Sequence, residues 1–278
     1  MKNFTFKRQL LFVMFMLLGC LSIQAADDGL ITKQITIKLD EAGTLPNRIS
    51  TSKKYLITNL KIVGEVNGTD WCLIREMAGR NYNREETDGK LSILDLSDAK
   101  IVEGGSNYIW GTDTSNDKLG ISAFEGCSSL TSLTIPSGVT SIGEAAFSGC
   151  CGLTSLTIPS SVTSIDHNAF SGCSGLTSIY VYLEKLPELG TYIFSGCDAN
   201  NCKVYVPTGT YDDYLVSEFG YFENIVEFDA TGIDKVTTST DAKELSRYSV
   251  NGQRLSAPAR GLNIVKYSDG SVKKVAVQ

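Results

Sequence analysis

The sequence predicts a repeat solenoid built on a parallel β-sheet. An α/β cap is expected at its N-terminal end and a small antiparallel β module at its C-terminal end. Three observations lead to this reading. Phe124, Phe147, Phe170 and Phe194 recur 23, 23 and 24 residues apart. Cys127, Cys150, Cys173 and Cys197 follow each phenylalanine by three. Leu133 and Ile135 alternate with Ser132 and Thr134, and Leu156 and Ile158 with Ser155 and Thr157, which is the two-residue period of a strand buried on one face. At 42% hydrophobic and 20% charged, the 278 residues have globular composition, which excludes wholesale disorder.

Residues 1–26 read as a secretory signal peptide. Lys2, Lys7 and Arg8 form a positive start, Leu10 to Leu21 is an apolar run, and Ala25-Ala26 precede Asp27-Asp28. The run is too short to cross a bilayer, and no other stretch reaches about eighteen apolar residues, so no transmembrane span is expected. Two processing routes stay open. Leu17-Leu18-Gly19-Cys20 resembles a bacterial lipobox, which implies a lipid anchor at Cys20, whereas Ala25 and Ala26 suit an ordinary cut. Removing Lys2, Lys7 and Arg8 leaves 22 basic against 31 acidic residues, a net charge of −9. Such a surface repels phosphate backbones, so nucleic acid is not an expected partner.

Residues 27–90 are expected to cap the solenoid, because an open core end would expose apolar side chains. Thr69 or Asp70 is placed to N-cap a helix beginning near Trp71, with Trp71, Ile74 and Met77 as its inward stripe. Arg80 to Gly89 is polar and reads as a surface loop.

The solenoid proper is read over 91–230. Its unit runs Leu130-Thr-Ser-Leu133-Thr-Ile135-Pro136, then Val139 and Ile142, then Glu144-Ala-Ala-Phe147-Ser-Gly-Cys150. Pro136 ends strand pairing, Val139 and Ile142 suit a second short extended piece, and Glu144 to Phe147 allows one helical turn that Ser148-Gly149 breaks. The third copy drifts through Leu183, Leu186 and Leu189, and Val204-Tyr-Val206-Pro207 restarts the strand. Residues 102–120 leave the period and read as a degenerate or looped coil. The coil is expected to close near Tyr211 to Leu215 and Phe222 to Phe228. One unit buries too little to offset the ordering of 23 residues, so successive units must stack in register.

Residues 231–245 read as a polar linker. In 246–278, two hairpins are expected to turn at Asn251-Gly252 and Asp269-Gly270.

The unit resembles the 23-residue leucine-rich repeat of BspA-like bacterial surface proteins. Segments from Leu60 to Asp70, Ile74 to Gly79 and Leu91 to Val102 are similar to that family's lead-in and first strand, so the resemblance spans about 32–230. It implies a right-handed, curved leucine-rich-repeat coil. It also implies a secreted or cell-surface, outer-membrane-associated location, a role in adhesion or extracellular binding, and no catalytic residues. The last 33 residues resemble short C-terminal β domains that anaerobic bacteria use to route secreted proteins to the cell surface; an extra solenoid cap is the alternative.

Catalytic constellations are not apparent. His167, the only histidine, sits among Asp166 and Asn168 as an exposed loop residue, so neither a triad nor a Cys-His pair is in prospect. Asp95, Asp98, Asp212 and Asp213 could be weighed as glycosidase carboxylates, but they lie far apart along the stack. The recurring cysteines read as buried thiols acting as small apolar side chains. A disulfide between coils, or between Cys197 and Cys202, is the alternative in an exported protein. Residues in one phase form a row and do not converge on a metal, and Cys151 should face solvent. No cofactor and no metal are expected, and the chain is read as non-enzymatic.

Binding is instead expected on the outer sheet face. One row comprises Lys61, Asp95, Thr134, Thr157, Tyr180 and Tyr205, and the next comprises Asn59, Ile93, Ser132, Ser155, Ser178 and Lys203. Tyr180, Tyr182, Lys203, Tyr205, Thr134, Thr157 and Asp95 are the candidate contacts for an extracellular or host-matrix protein or glycan. Tyrosine offers area and a hydroxyl at low entropic cost. The alternatives are a merely solvated face and a structural spacer or surface-layer component without a specific ligand.

Overall fold

The computed structural model describes residues 29–230 and, beyond them, 244–249, 254–255, 257, 261–267 and 272–277. The signal segment with Cys20, residues 231–243 of the linker, and the turns Asn251-Gly252 and Asp269-Gly270 lie outside the described residues.

In chain order the first strands are β1 (Ile35–Leu39), β2 (Asn59–Val66), β3 (Ile93–Ile101), β4 (Gly104–Ile109), β5 (Thr112–Thr114) and β6 (Lys118–Leu119). The repeats contribute β7 (Ser132–Thr134), β8 (Ser141–Ile142), β9 (Ser155–Ile158), β10 (Ser164–Ile165), β11 (Ser178–Val181) and β12 (Glu188–Leu189). Then come β13 (Lys203–Pro207), β14 (Asn224–Phe228), β15 (Glu244–Ser249), β16 (Arg254–Leu255), β17 (Gly261–Tyr267) and β18 (Val272–Val277).

Residues 35–228 wind as a repeat solenoid. Its main sheet has eight strands in the order β1-β2-β3-β7-β9-β11-β13-β14, and a four-stranded sheet, β12-β10-β8-β6, lines the other edge of each coil. Pairing in both sheets is parallel, as a coil that returns to the same phase requires. Ser155 pairs with Ser178, Leu156 with Ile179 and Thr157 with Tyr180, so equivalent repeat positions face one another. The second sheet confirms the short extended piece expected at Ile142, with Ile142 paired to Ile165 and Leu119.

The interior is a set of ladders. Phe124, Phe147, Phe170 and Phe194 stack with ring centroids 5.3, 5.1 and 5.7 Å apart and planes within 17° of parallel. Both ends of this stack are covered by tilted rings: Trp71 lies 5.3 Å from Phe124, and Phe219 and Phe222 each lie 5.0 Å from Phe194. Tilting turns a ring edge towards the last face and stops propagation. Cys127, Cys150, Cys173 and Cys197 are buried as free thiols. The thiols of Cys150, Cys173 and Cys197 donate to the carbonyls of Phe124, Phe147 and Phe170 in the preceding coil. Cys151 is exposed.

The N-terminal cap meets Trp71 through the helix Gly68–Met77, whose Trp71, Ile74 and Met77 are buried as expected. Its cap is Asn67, not Thr69 or Asp70. The Asn67 side chain accepts from the Thr69 N–H, and the Asp70 carboxylate accepts from the Asn67 N–H. Asp70 therefore sits one turn inside, and it also accepts from the N–H groups of Gly43 and Leu45. Arg75 Nη1 donates to the carbonyls of Ser122 and Ala123, and Trp71 Nε1 to that of Ala123, tying the helix to the first repeat turn.

Further details refine or correct the expectations. Within residues 102–120, read as a degenerate or looped coil, β4 and β5 form an antiparallel hairpin against the N-terminus of the helix. Gly68 permits this approach, because a Cβ there would stand 1.9 Å from the Ser106 carbonyl oxygen. Glu144 to Phe147 forms a turn, not a helical one. Ala145 has φ +52°, and its N–H and that of Phe147 donate to His167 and Ala169 of the next coil. The left-handed residue aims these groups along the stack, which a helical turn could not do. At both ends the sheet is extended, since β1 pairs with β2 and β14 with β13.

At the C-terminus β15 to β18 form one antiparallel sheet in the order β16-β15-β17-β18, joining the two expected hairpins. Among the described residues no helix is long and apolar enough to cross a membrane.

Candidate ligand-binding face

The outer face of the main sheet carries the expected rows. Lys61 pairs with Asp95, Asp95 with Thr134, Thr157 with Tyr180 and Tyr180 with Tyr205. The buried residues of each strand alternate with these, so the inner ladder fixes where each outer side chain stands. Thr131, Thr154 and Thr177 donate their hydroxyls to Ser92, Thr131 and Thr154 carbonyls, which explains the recurrent Thr after each repeat leucine.

The chemistry changes along the row. In the middle, Thr134 and Thr157 present hydroxyl and methyl groups. At the C-terminal end Tyr180 and Tyr205 stack face to face, with centroids 4.6 Å apart and planes 5° from parallel. Phe228, on the edge strand β14 and paired with Pro207 of β13, stands perpendicular to both and lies 5.3 Å from Tyr182. Four aromatic side chains from three strands and the segment after β11 thus form one cluster. Burial raises the Tyr180 phenol above its usual range, and the neighbouring Tyr205 and Tyr182 phenols add to this, so it remains a hydrogen-bond donor.

Beside the cluster lie two depressions of about 440 and 370 Å³. Ser160, Tyr182 and Glu184 line both. Thr157 and Pro159 border the smaller one, and Lys185, Leu186 and Pro187 the larger.

Of the candidate residues, Tyr180, Tyr182 and Tyr205 come together, Thr157 adjoins them in register, and Lys203 is exposed on the same strand as Tyr205. Thr134 lies one strand further away. Asp95 does not join them. It is three strands from Tyr180, about 14 Å at ordinary strand spacing. It is also held by Lys61, whose Nζ is 3.1 Å from Asp95 and 2.6 Å from Asp98. Burial raises the Asp95 carboxyl, but hydrogen bonds from Ser97 and Lys61 outweigh this and lower it, while Asp98 and then Asp95 hold the Lys61 ammonium up. This end of the row closes on itself as an ion-pair group.

Phe228, Ser160 and Glu184 went unread in the sequence. Phe228 follows Glu227, which breaks the alternation that marks a repeat strand, so only the pairing with Pro207 reveals its place. His167 bridges coils: its Nδ1 accepts from the Thr191 N–H at 2.9 Å. Among the described residues no three His, Cys, Asp or Glu side chains converge as a metal ion would need. The face offers stacking and hydrogen bonding.

Residues 112–215 match a BspA type leucine-rich repeat region, in six copies. Similarity extends to the crystal structure of a leucine-rich repeat protein from Bacteroides ovatus, at 20% identity and a TM-score of 0.36, over 70% of this chain. The chain spans 54% of that protein's length. No curated protein matches the sequence.

Proposed function

From the match of residues 112–215 to a BspA type leucine-rich repeat region, we propose that the chain is an exported, non-enzymatic binding protein that works at or outside a bacterial surface. Its ligand is an extracellular or host-matrix protein or glycan. The observation that carries this reading is the change along one sheet row from threonine to stacked tyrosine. The same sheet runs through β7 and β9, which carry Thr134 and Thr157 in this row, so the fold does not require rings there. Exposed aromatic clusters are the usual anchors of recognition surfaces.

Export rests on residues 1–26 and their signal layout. A lipid at Cys20 would hold the protein at the membrane, and cleavage after Ala25 or Ala26 would release it. The mass of the mature N-terminus distinguishes the two. The rival reading, a spacer or surface-layer component, draws on the plain Ser and Thr rows of the central coils.

The test replaces Tyr180 and Tyr205 with Ala in the mature chain. Attachment to immobilised matrix proteins and glycans should fall at least about tenfold, the equivalent of about 1.4 kcal/mol, with the circular dichroism spectrum unchanged. Attachment that persists at full strength would contradict the reading.

A further inference from the structure

The two depressions beside Tyr182 narrow the ligand class, and this step rests on the binding role proposed for the face. Tyr182 lines both, as do Ser160 and Glu184, and it is the aromatic ring they share. Its ring is set by Phe228, perpendicular at 5.3 Å. The segment beneath it is anchored: Leu183 is buried, its carbonyl accepts from the buried Tyr214 hydroxyl at 2.9 Å, and the Tyr182 N–H donates to Ile158. The ring therefore keeps its place without a ligand.

Around this ring stand polar groups of a particular kind. Thr157, Ser160 and Thr163 supply hydroxyls, Glu184 a carboxylate and Lys185 an ammonium. Depressions of about 440 and 370 Å³ lie within the size range of small-molecule sites, and they adjoin, sharing Ser160, Tyr182 and Glu184. An apolar ring face flanked by donors and acceptors matches a pyranose, which has a C–H face and a rim of hydroxyls. A protein partner would call for a larger exposed apolar centre than this cluster supplies, since Tyr180, Tyr205 and Phe228 are already half-buried and only Tyr182 is exposed. The single lysine in the lining is offset by Glu184, and the chain carries excess negative charge, which disfavours polyanions. We infer that the paired depressions across Tyr182 form a cleft for two or more adjacent units of an uncharged polysaccharide.

Gel-retardation electrophoresis of the mature chain in soluble mannan, xylan, β-glucan, galactan and heparin tests this. At least one neutral polysaccharide should retard the protein. Tyr182→Ala should weaken that retardation about tenfold and Glu184→Gln severalfold, while Tyr82→Ala, an exposed tyrosine elsewhere, should leave it intact. Tyr182 is exposed, so its replacement should leave the melting temperature in place; Glu184→Gln carries the test if it does not. Retardation by heparin alone would overturn the inference, as would retardation by none of the five. If matrix-protein attachment then still depends on Tyr180 and Tyr205, only the glycan assignment falls. If no attachment depends on any of these tyrosines, the binding role of the face falls with it.

Discussion

Two stacks of aromatic rings cross the same coils, one inside the solenoid and one outside. The inner stack, Phe124 to Phe194, extends over four coils, is sealed at both ends and is fully buried. The outer stack, Tyr180 on Tyr205, covers two strands and stays partly open to solvent. Ring spacing is near 5 Å in both, because both inherit the strand separation. They differ in necessity. Each coil needs its inner ring to fill the interior, whereas neighbouring coils carry threonine where the outer rings stand. Repetition in the sequence therefore tracks packing, and departure from repetition tracks surface chemistry.

The comparison breaks most sharply at Phe147. Phe147→Ala should cost about 3–5 kcal/mol, since it opens a cavity between two stacked neighbours. Denaturant unfolding should show this as a large fall in midpoint, and a loss below about 1 kcal/mol would mean that the inner stack is no more structural than the outer one.

Next in size comes Asp70, which holds the helix bearing Trp71, the ring that seals the inner stack. Asp70→Ala leaves the N–H groups of Gly43, Leu45 and Asn67 without their acceptor and should cost about 2–4 kcal/mol in the same measurement. An unchanged midpoint would show that the seal is held in some other way.

A smaller, pH-dependent effect should come from the thiols beside the inner stack. Burial pushes Cys127 and Cys197 up to about 11 and Cys202 up to about 12. The neutral thiol is favoured in the fold, while the unfolded chain releases its protons first. The stabilising contribution is therefore complete below the ordinary thiol range and is lost as pH rises through 11 to 12. The unfolding midpoint should fall between pH 8 and 10.5, and alkylation of the native protein at pH 8 should reach exposed Cys151 well before Cys127 or Cys150. Equal alkylation rates would contradict the buried ladder.

The smallest change should be a gain. Ala145 holds φ +52° at the turn between stacked coils. Ala145→Gly should relieve this and raise stability by about 0.5–1 kcal/mol. A loss of that size would mean that the backbone entropy of glycine outweighs the strain.

Much of this architecture was legible in the sequence where alternation and period agree. Leu133, Leu156, Ile179 and Val204 share one phase, and their strands pair in sheet order, so the outer rows could be aligned from the sequence. Legibility failed where one residue's conformation or a distant partner decides. Glu144-Ala-Ala-Phe147 has helical composition, yet the left-handed Ala145 turns its N–H groups towards the next coil. Asn67 precedes the stretch with helical spacing, so Thr69 and Asp70 looked the better caps. The Tyr180 and Tyr205 stack follows from register, but Phe228 reaches the cluster from a strand whose alternation Glu227 interrupts. Asp95 lies in the right row, yet its pairing with Lys61 came from the facing strand.

The most direct measurement compares the two stacks in one experiment: melting temperature and ligand attachment for Phe147→Ala and for the Tyr180→Ala, Tyr205→Ala pair. The inner substitution should lower the melting temperature by many degrees. The outer pair should leave it within about 2–4 °C of the parent, an effect of no more than about 1 kcal/mol, while attachment is lost. An outer pair that unfolds as readily as Phe147→Ala yet still attaches at temperatures where it is folded would contradict the account.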